Sequence, residues 1–342
     1  KLVSSEKTKS YLPITGPADF TRLVQELAFG SGHEIIEQQR AVSLQSPGGT
    51  GALRVAADFV HTRLPEAKIW CSRPTWANHP SIFEAAGLEV KTYAYLDAER
   101  HALDFAGMIK DLETIPEGDV IVLHGCCHNP SGIDPTAEQW EQIAECVARR
   151  KLLPLVDFAY QGFGDGLESD AQGLRVMASS VPELLVASSF SKNFGLYRER
   201  VGGLTLVAED ADRAKIALSH LKRCVRTNYS NPPAHGSAIV HTILADETLR
   251  KEWDVELAAM RDRINGMRSA FVQCMQQHAP QRDFSFIERQ RGMFSFSGLT
   301  KEQVEKLRSD YSIYIVGSGR INVAGITPDN IERLCSSIAA VL

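Results

Sequence analysis

The sequence predicts an α/β fold: a large domain with a mostly parallel central sheet flanked by helices, followed by a smaller α+β domain. Three observations carry this. Short apolar runs alternate with amphipathic stretches over most of the chain, the alternation stops after about Leu249, and 342 residues are too many for one simple core.

The apolar runs fall at residues 68–72, 89–95, 119–125, 152–158, 183–189 and 203–208, each strand-sized and bounded by breakers. Amphipathic stretches at 50–63, 104–114 and 137–150 read as helices between them. A sheet of this kind places ligands at the carboxyl ends of its strands. A long helical stretch then runs from about 246 to 277 with no strand inside it. Shorter strands are expected at 294–297, 313–316 and 320–323, and a helix at 328–342. The expected division is a large domain over 1–250, then a connecting helix and a small C-terminal domain over 251–342. No internal repeat or low-complexity tract interrupts this order.

Composition narrows the function classes. The chain is 44% hydrophobic and 23% charged, with a net charge of −5, so nothing points to nucleic acid or an acidic membrane surface. No apolar run reaches the roughly eighteen residues that a membrane helix needs. Seven scattered cysteines read as reduced thiols of an intracellular protein. Residues 1–10 have no apolar core and do not read as a secretory signal.

The strongest local motif is Ser188-Ser189-Phe190-Ser191-Lys192-Asn193-Phe194-Gly195. Most lysines are solvated surface charges. Lys192 instead follows at once on the carboxyl end of an expected buried strand, where an amine of lowered pKa can form an imine with a carbonyl. Arg200, eight residues on, is either a surface charge or a phosphate ligand. Pro47-Gly48-Gly49-Thr50-Gly51-Ala52-Leu53-Arg54 is a Gly-rich loop entering a helix, a setting that favours an anion. It lacks a Walker lysine, and Arg54 stands where a dinucleotide fingerprint needs its third glycine. Asp157 ends an apolar run; it either caps the next helix or faces a pyridine nitrogen and keeps it protonated. Tyr160 is three residues further and in reach of the same place.

His124-Gly125-Cys126-Cys127-His128-Asn129-Pro130-Ser131-Gly132 matches no standard zinc spacing, and no metal is expected there. Its Asn129-Pro130-Ser131-Gly132 part reads better as a tight turn presenting the Asn129 amide. Trp76 is either core packing or a flat face for an aromatic ring. Arg226 and Arg320 are either solvated charges or ligand contacts, and composition alone does not choose.

Taken in order, these motifs resemble one family along essentially the whole chain. The motifs are Gly49-Thr50-Gly51-Ala52-Leu53-Arg54, Pro74-Thr75-Trp76, His128-Asn129-Pro130, Asp157-Phe158-Ala159-Tyr160-Gln161-Gly162, Ser191-Lys192-Asn193-Phe194-Gly195-Leu196-Tyr197, Ser230-Asn231-Pro232-Pro233 and Ser318-Gly319-Arg320. They are similar to those of the aspartate aminotransferase family, class I pyridoxal 5′-phosphate (PLP) enzymes of fold type I.

The resemblance implies PLP as cofactor, held by Lys192 as a Schiff base. Asp157 would pair with the ring nitrogen, with His79 behind it. Asn129 and Tyr160 would bond the phenolic oxygen, and Trp76 would stack on the ring. Gly48, Gly49, Thr50, Ser189 and Arg200 would hold the phosphate, with Tyr11 reaching the phosphate of a neighbouring subunit. Arg320 would take the substrate α-carboxylate, and Arg226 would cross a homodimer interface to the distal carboxylate. Lys192, Asp157 and Tyr160 would be the catalytic set.

The implied reaction is ping-pong transamination between L-aspartate and 2-oxoglutarate. Its nearest rival is an aromatic amino-acid aminotransferase of the same subgroup, with dual specificity between them. A regulator built on this fold would need a DNA-binding module and a basic patch, which the sequence does not display. A dehydrogenase reading fails at the glycine spacing and leaves Lys192 unused. The family also implies a cytoplasmic or mitochondrial location. Against its pattern, an N-terminal arm and part of the small domain are expected to be missing from these residues. Gly48 stands where some members carry serine, so one hydroxyl contact to phosphate is expected to be lost.

Overall fold

A computed structural model describes residues 2–99 and 101–342; Lys1 and Arg100 lie outside the described residues. The strands are β1 (Ala41–Pro47), β2 (Ile69–Arg73), β3 (Val90–Ala94), β4 (Leu96–Asp97), β5 (Ala102–Leu103), β6 (Val120–His124), β7 (Leu153–Phe158), β8 (Leu184–Ser189), β9 (Val201–Val207), β10 (Phe294–Phe296) and β11 (Arg320–Asn322). Seven of them form one sheet in the order β1-β9-β8-β7-β6-β2-β3. β3, β2, β6, β7 and β8 run parallel; β9 is antiparallel to both β8 and β1, so it alone is reversed.

The six expected strands of this sheet form within one or two residues of the predicted bounds. Their near-continuous apolar sequence follows from burial on both faces. Along β6, Val120 and Val122 join one core cluster while Ile121 and Leu123 join the other. Along β8, Leu184 and Val186 take one side and Leu185 and Ala187 the other. Successive side chains point to opposite faces of a strand, so each strand feeds two cores.

The helices cover both faces and start where local chemistry starts them. Helix Ala137–Arg149 opens on a capping box between Thr136 and Gln139. The 32-residue helix Glu247–His278 opens on Asp246, whose carboxylate accepts from the backbone N–H groups of Thr248 and Leu249. Beyond it, β10 and β11 form a separate two-stranded ladder beside helices Lys301–Tyr311 and Ile331–Val341.

Two expectations need correction. β1 had no place among the apolar runs, because Ser43, Gln45 and Ser46 lie in it. They are buried and each makes a hydrogen bond: Ser43 Oγ lies 2.8 Å from Thr205 Oγ1, Gln45 donates to the Pro233 carbonyl while its Oε1 has no partner among the described residues, and Ser46 donates to the Gly48 carbonyl. Residues 313–316, expected as a strand, have no ladder partner among the described residues. Their side chains alternate between half-buried and exposed, as a strand's would, but Tyr314 and Val316 face outward and among the described residues no neighbouring strand pairs them.

Candidate active site

The sheet register assembles the site. β1, β2, β6, β7 and β8 end at one edge of the sheet, and the reversed β9 begins there. Pro47 is opposite Val201, Ser189 opposite Gly202, and His124 opposite Asp157. Segments distant in sequence, around Gly48, Asn129, Asp157, Lys192 and Arg200, therefore leave the sheet side by side. A cavity of about 310 Å³ lies there, lined by Gly49, Thr50, Trp76, Asn129, Asp157, Tyr160, Ser189, Lys192, Arg200 and Arg320. Ten of the residues singled out in the sequence thus meet at one place.

Lys192 sits in the turn directly after β8, with Nζ 4.2 Å from the centre of the Tyr160 ring. Burial lowers its pKa, Asp157 opposes that effect and Arg200 adds to it; the net shift is below the ordinary lysine value. A lysine in this state is more readily a neutral nucleophile than a surface lysine is.

Asp157 is buried at the end of β7 and accepts from His79 Nε2 at 3.1 Å. Burial alone would raise its pKa. The His79 hydrogen bond, helped by the nearby Lys192 ammonium, outweighs burial and holds the carboxyl below its usual value. Behind it, His79 Nδ1 lies 2.7 Å from Thr75 Oγ1, which lies 3.2 Å from His124 Nε2. Burial pushes His124 down to about 3, so it is neutral at pH 7. One assignment of ring protons satisfies the whole run. His124 Nε2–H donates to Thr75, the Thr75 hydroxyl donates to His79 Nδ1, and His79 Nε2–H donates to Asp157. Thr75 and His124 are the members that sequence reasoning missed. Both stood in quoted motifs, but only the fold turns them toward His79.

The anion-binding corner is built by close approach. Gly48 has φ +72°, and a Cβ there would lie 2.6 Å from the Arg200 guanidinium. A Cβ on Gly202 would lie 2.4 Å from the Gly48 backbone. Glycine at 48 lets Arg200 lie close against the first turn of helix Gly48–Arg63, where free N–H groups and the helix dipole also favour negative charge. Arg200 Nη1 donates to Ser191 Oγ and to the Tyr197 carbonyl, which aims it; Ser191 Oγ in turn accepts from Ser189 Oγ. Ser191 and Tyr197 line the same cavity and carried no sequence signal of their own.

The opposite wall comes from the ladder β10–β11. Arg320 opens β11, lies over the Phe294 ring at 4.3 Å and donates to Asn129 Oδ1 at 3.1 Å. Asn129 Nδ2 donates to Tyr160 OH at 3.3 Å. Trp76 meets His79 edge to face. Two singled-out residues do not join them. Arg226 is exposed near the end of helix Ala211–Asn228 and donates to Ser230 Oγ; Tyr11 is 91% exposed. Neither lines the cavity.

The arrangement suits a phosphorylated pyridine aldehyde. It offers a buried amine for the carbonyl, a carboxylate for the ring nitrogen, and an arginine with a helix start for the phosphate. Comparison with known proteins agrees. The model for "Aminotransferase class I and II" matches residues 1–338. The aspartate aminotransferase of Escherichia coli K12 is 56% identical over 341 residues, covering all of this chain and 86% of the relative. The aromatic-amino-acid aminotransferase of Pseudomonas aeruginosa is 47% identical over 341 residues, covering all of this chain and 85% of the relative. The crystal structure of the Burkholderia pseudomallei aromatic-amino-acid aminotransferase, covalently bound to pyridoxal phosphate, superposes with a TM-score of 0.97 at 47% identity. It matches 99% of this chain and 85% of that one. The chain belongs to the class I and II aminotransferase family.

Proposed function

We propose that this protein is a PLP-dependent aspartate aminotransferase, exchanging the amino group between L-aspartate and 2-oxoglutarate to give oxaloacetate and L-glutamate. The carrying observation is that Lys192, Asp157, Arg200 and Arg320 share one cavity of about 310 Å³. The identity to aspartate aminotransferases, 55–56% in three bacterial relatives, supports the substrate. Two aromatic aminotransferases reach 47% and 43%.

Bound PLP supplies an electron sink for the pair left when the substrate Cα loses its proton. The chain's residues do the rest. Lys192 Nζ holds the cofactor carbonyl, yields to the substrate amine, takes the Cα proton and delivers it to C4′. Asp157, held by His79, keeps the ring nitrogen protonated. Asn129 and Tyr160 take the phenolic oxygen, and Trp76 covers the ring face. Gly48, Gly49, Thr50, Ser189 and Arg200 take the phosphate. Arg320 forks onto the α-carboxylate, releasing Asn129 to do so.

Arg226 and Tyr11 enter this reading only through a second copy. A homodimer with shared sites brings the partner's Arg226 to the distal carboxylate and the partner's Tyr11 to the phosphate. We read residues 1–250 as the cofactor domain and 251–342 as the connecting helix and small domain. Seven free cysteines support a reducing, cytoplasmic setting. Among the described residues, no helix is long and apolar enough to cross a membrane.

Relative kcat/KM for L-aspartate and L-phenylalanine, with 2-oxoglutarate as acceptor, tests the substrate. Aspartate is expected to be preferred. Equal or better use of phenylalanine would replace this assignment with the aromatic one.

A further inference from the structure

Far along the chain from Lys192, the connecting helix Glu247–His278 ends against the C-terminal helix Ile331–Val341. Cys274 and His278 are one turn apart on the first helix, so both face the second. Glu332 on the second helix meets both. Its Oε1 lies 2.6 Å from His278 Nε2, and its Oε2 accepts from the Cys274 thiol at 3.6 Å. A thiol, an imidazole nitrogen and a carboxylate oxygen thus converge with all three atoms within 4.8 Å of one another.

We propose that Cys274, His278 and Glu332 form a zinc site that staples the end of the connecting helix to the C-terminal helix. Zinc bonds of about 2.0–2.3 Å in a tetrahedron set ligand atoms roughly 3.3–3.8 Å apart. The three atoms, mutually within 4.8 Å, need only small side-chain adjustments to reach that spacing. A thiolate–imidazole–carboxylate set selects zinc over magnesium or calcium, which take oxygen ligands. In the metal-free protein, Glu332 accepts from the groups that would share the metal with it. On binding, the Cys274 thiol releases its proton to solvent. The Nε2 proton of His278 exchanges away through solvent so that the remaining ring proton sits on Nδ1, Nε2 binds through its lone pair, and water fills the fourth position. Cys335 lies below, within hydrogen-bonding reach of Cys274, and closes the apolar side of the site.

A helix-end ion pair accounts for part of this arrangement. A histidine in a last turn and a glutamate in a first turn suit the two helix dipoles. It does not account for a thiol on the same carboxylate, one turn before the histidine. The other cluster of ligand-type groups, Cys126, Cys127 and Asp170, differs in both respects that matter. It is fully buried, and the Asp170 carboxylate is already occupied by the backbone N–H groups of Gly162, Gly164 and Asp165. The site at Glu332 is open: its side chain is 71% exposed and that of His278 28%.

The test uses the full chain with PLP bound. It is exposed to zinc chloride, freed of unbound metal, and assayed for metal per chain; cobalt chloride is then substituted. One zinc per chain is expected, with tetrahedral cobalt bands and a near-ultraviolet thiolate-to-cobalt band. C274S and E332Q should lose the metal and the bands, while C224S, in a different helix, should keep both. Glu332 is exposed, so E332Q should match the wild-type melting temperature in EDTA, separating lost ligation from lost fold. Failure to take up zinc, octahedral cobalt bands, or uptake that survives E332Q would each overturn the site.

Discussion

The inner wall of the active site and its outer rim differ in how much of their work one chain completes. On the inner wall, Asp157, His79, Asn129 and Arg200 each have a partner within the chain. Asp157 is held by His79, His79 by Thr75, Asn129 by Arg320, and Arg200 by Ser191 and Tyr197. On the rim, among the described residues, Arg226 bonds just Ser230, two residues past the end of its helix, and Tyr11 stands in the open. Such a division separates two tasks. Cofactor chemistry needs geometry fixed in advance, which packed side chains supply. In the proposed function, recognition of a second carboxylate would fall to groups that a partner copy brings into place.

The contrast can be sharpened first at the rim, where the effect is largest. Arg226→Ala is expected to cut kcat/KM for aspartate by about 10- to 100-fold, the loss of one charge-assisted carboxylate contact. Phenylalanine turnover should change little. Mixing Arg226→Ala chains with Lys192→Ala chains should restore part of the aspartate activity, because a hybrid dimer holds one site with both native residues. Absence of rescue, once hybrids are shown to form, would place Arg226 in its own chain's site or outside any site.

On the inner wall the expected effect is smaller and appears in stability. His124 is held down to about 3 by burial, against an ordinary value of 6.5, so the folded chain refuses a proton that the unfolded chain accepts. The stability from keeping it neutral is complete above the unfolded pKa and falls as pH drops from about 6.5 toward 3, by up to about 1.4 kcal/mol per pH unit. His124→Asn should flatten that acid-side slope of unfolding free energy by about one proton, measured by urea denaturation across this range. His128, also depressed by burial, keeps some slope in place. An unchanged slope would mean that His124 is not held neutral.

Much of this was legible before any coordinates, and for physical reasons. Strands buried on both faces are apolar nearly throughout, so β6, β7, β8 and β9 stood out, while β2 and the edge strand β3 were visible as short runs between breakers. Lys192 and Asp157 were visible because they end such strands. β1 was hidden because it carries the polar residues Ser43, Gln45 and Ser46, and the bonds of Ser43 to Thr205 and of Gln45 to Pro233 cross long stretches of chain that no local pattern encodes. The fit of Gly48 against Arg200 depends on β9 lying between β1 and β8, a strand order that composition does not carry. Thr75 and His124 were quoted without a role, since a relay exists only once residues 49 positions apart meet. Residues 313–316 show the opposite failure. The local pattern is strand-like, but a strand is defined by a partner, and none lies beside them among the described residues.

The central claim is that Lys192 carries the cofactor, and borohydride trapping addresses it most directly. The protein is incubated with PLP, reduced, digested and mapped by mass spectrometry. Reduction should abolish the imine absorption and leave a phosphopyridoxyl group on the peptide containing Ser191-Lys192-Asn193 and on no other lysine. Labelling elsewhere with Lys192 unmodified, or no stable adduct, would contradict it.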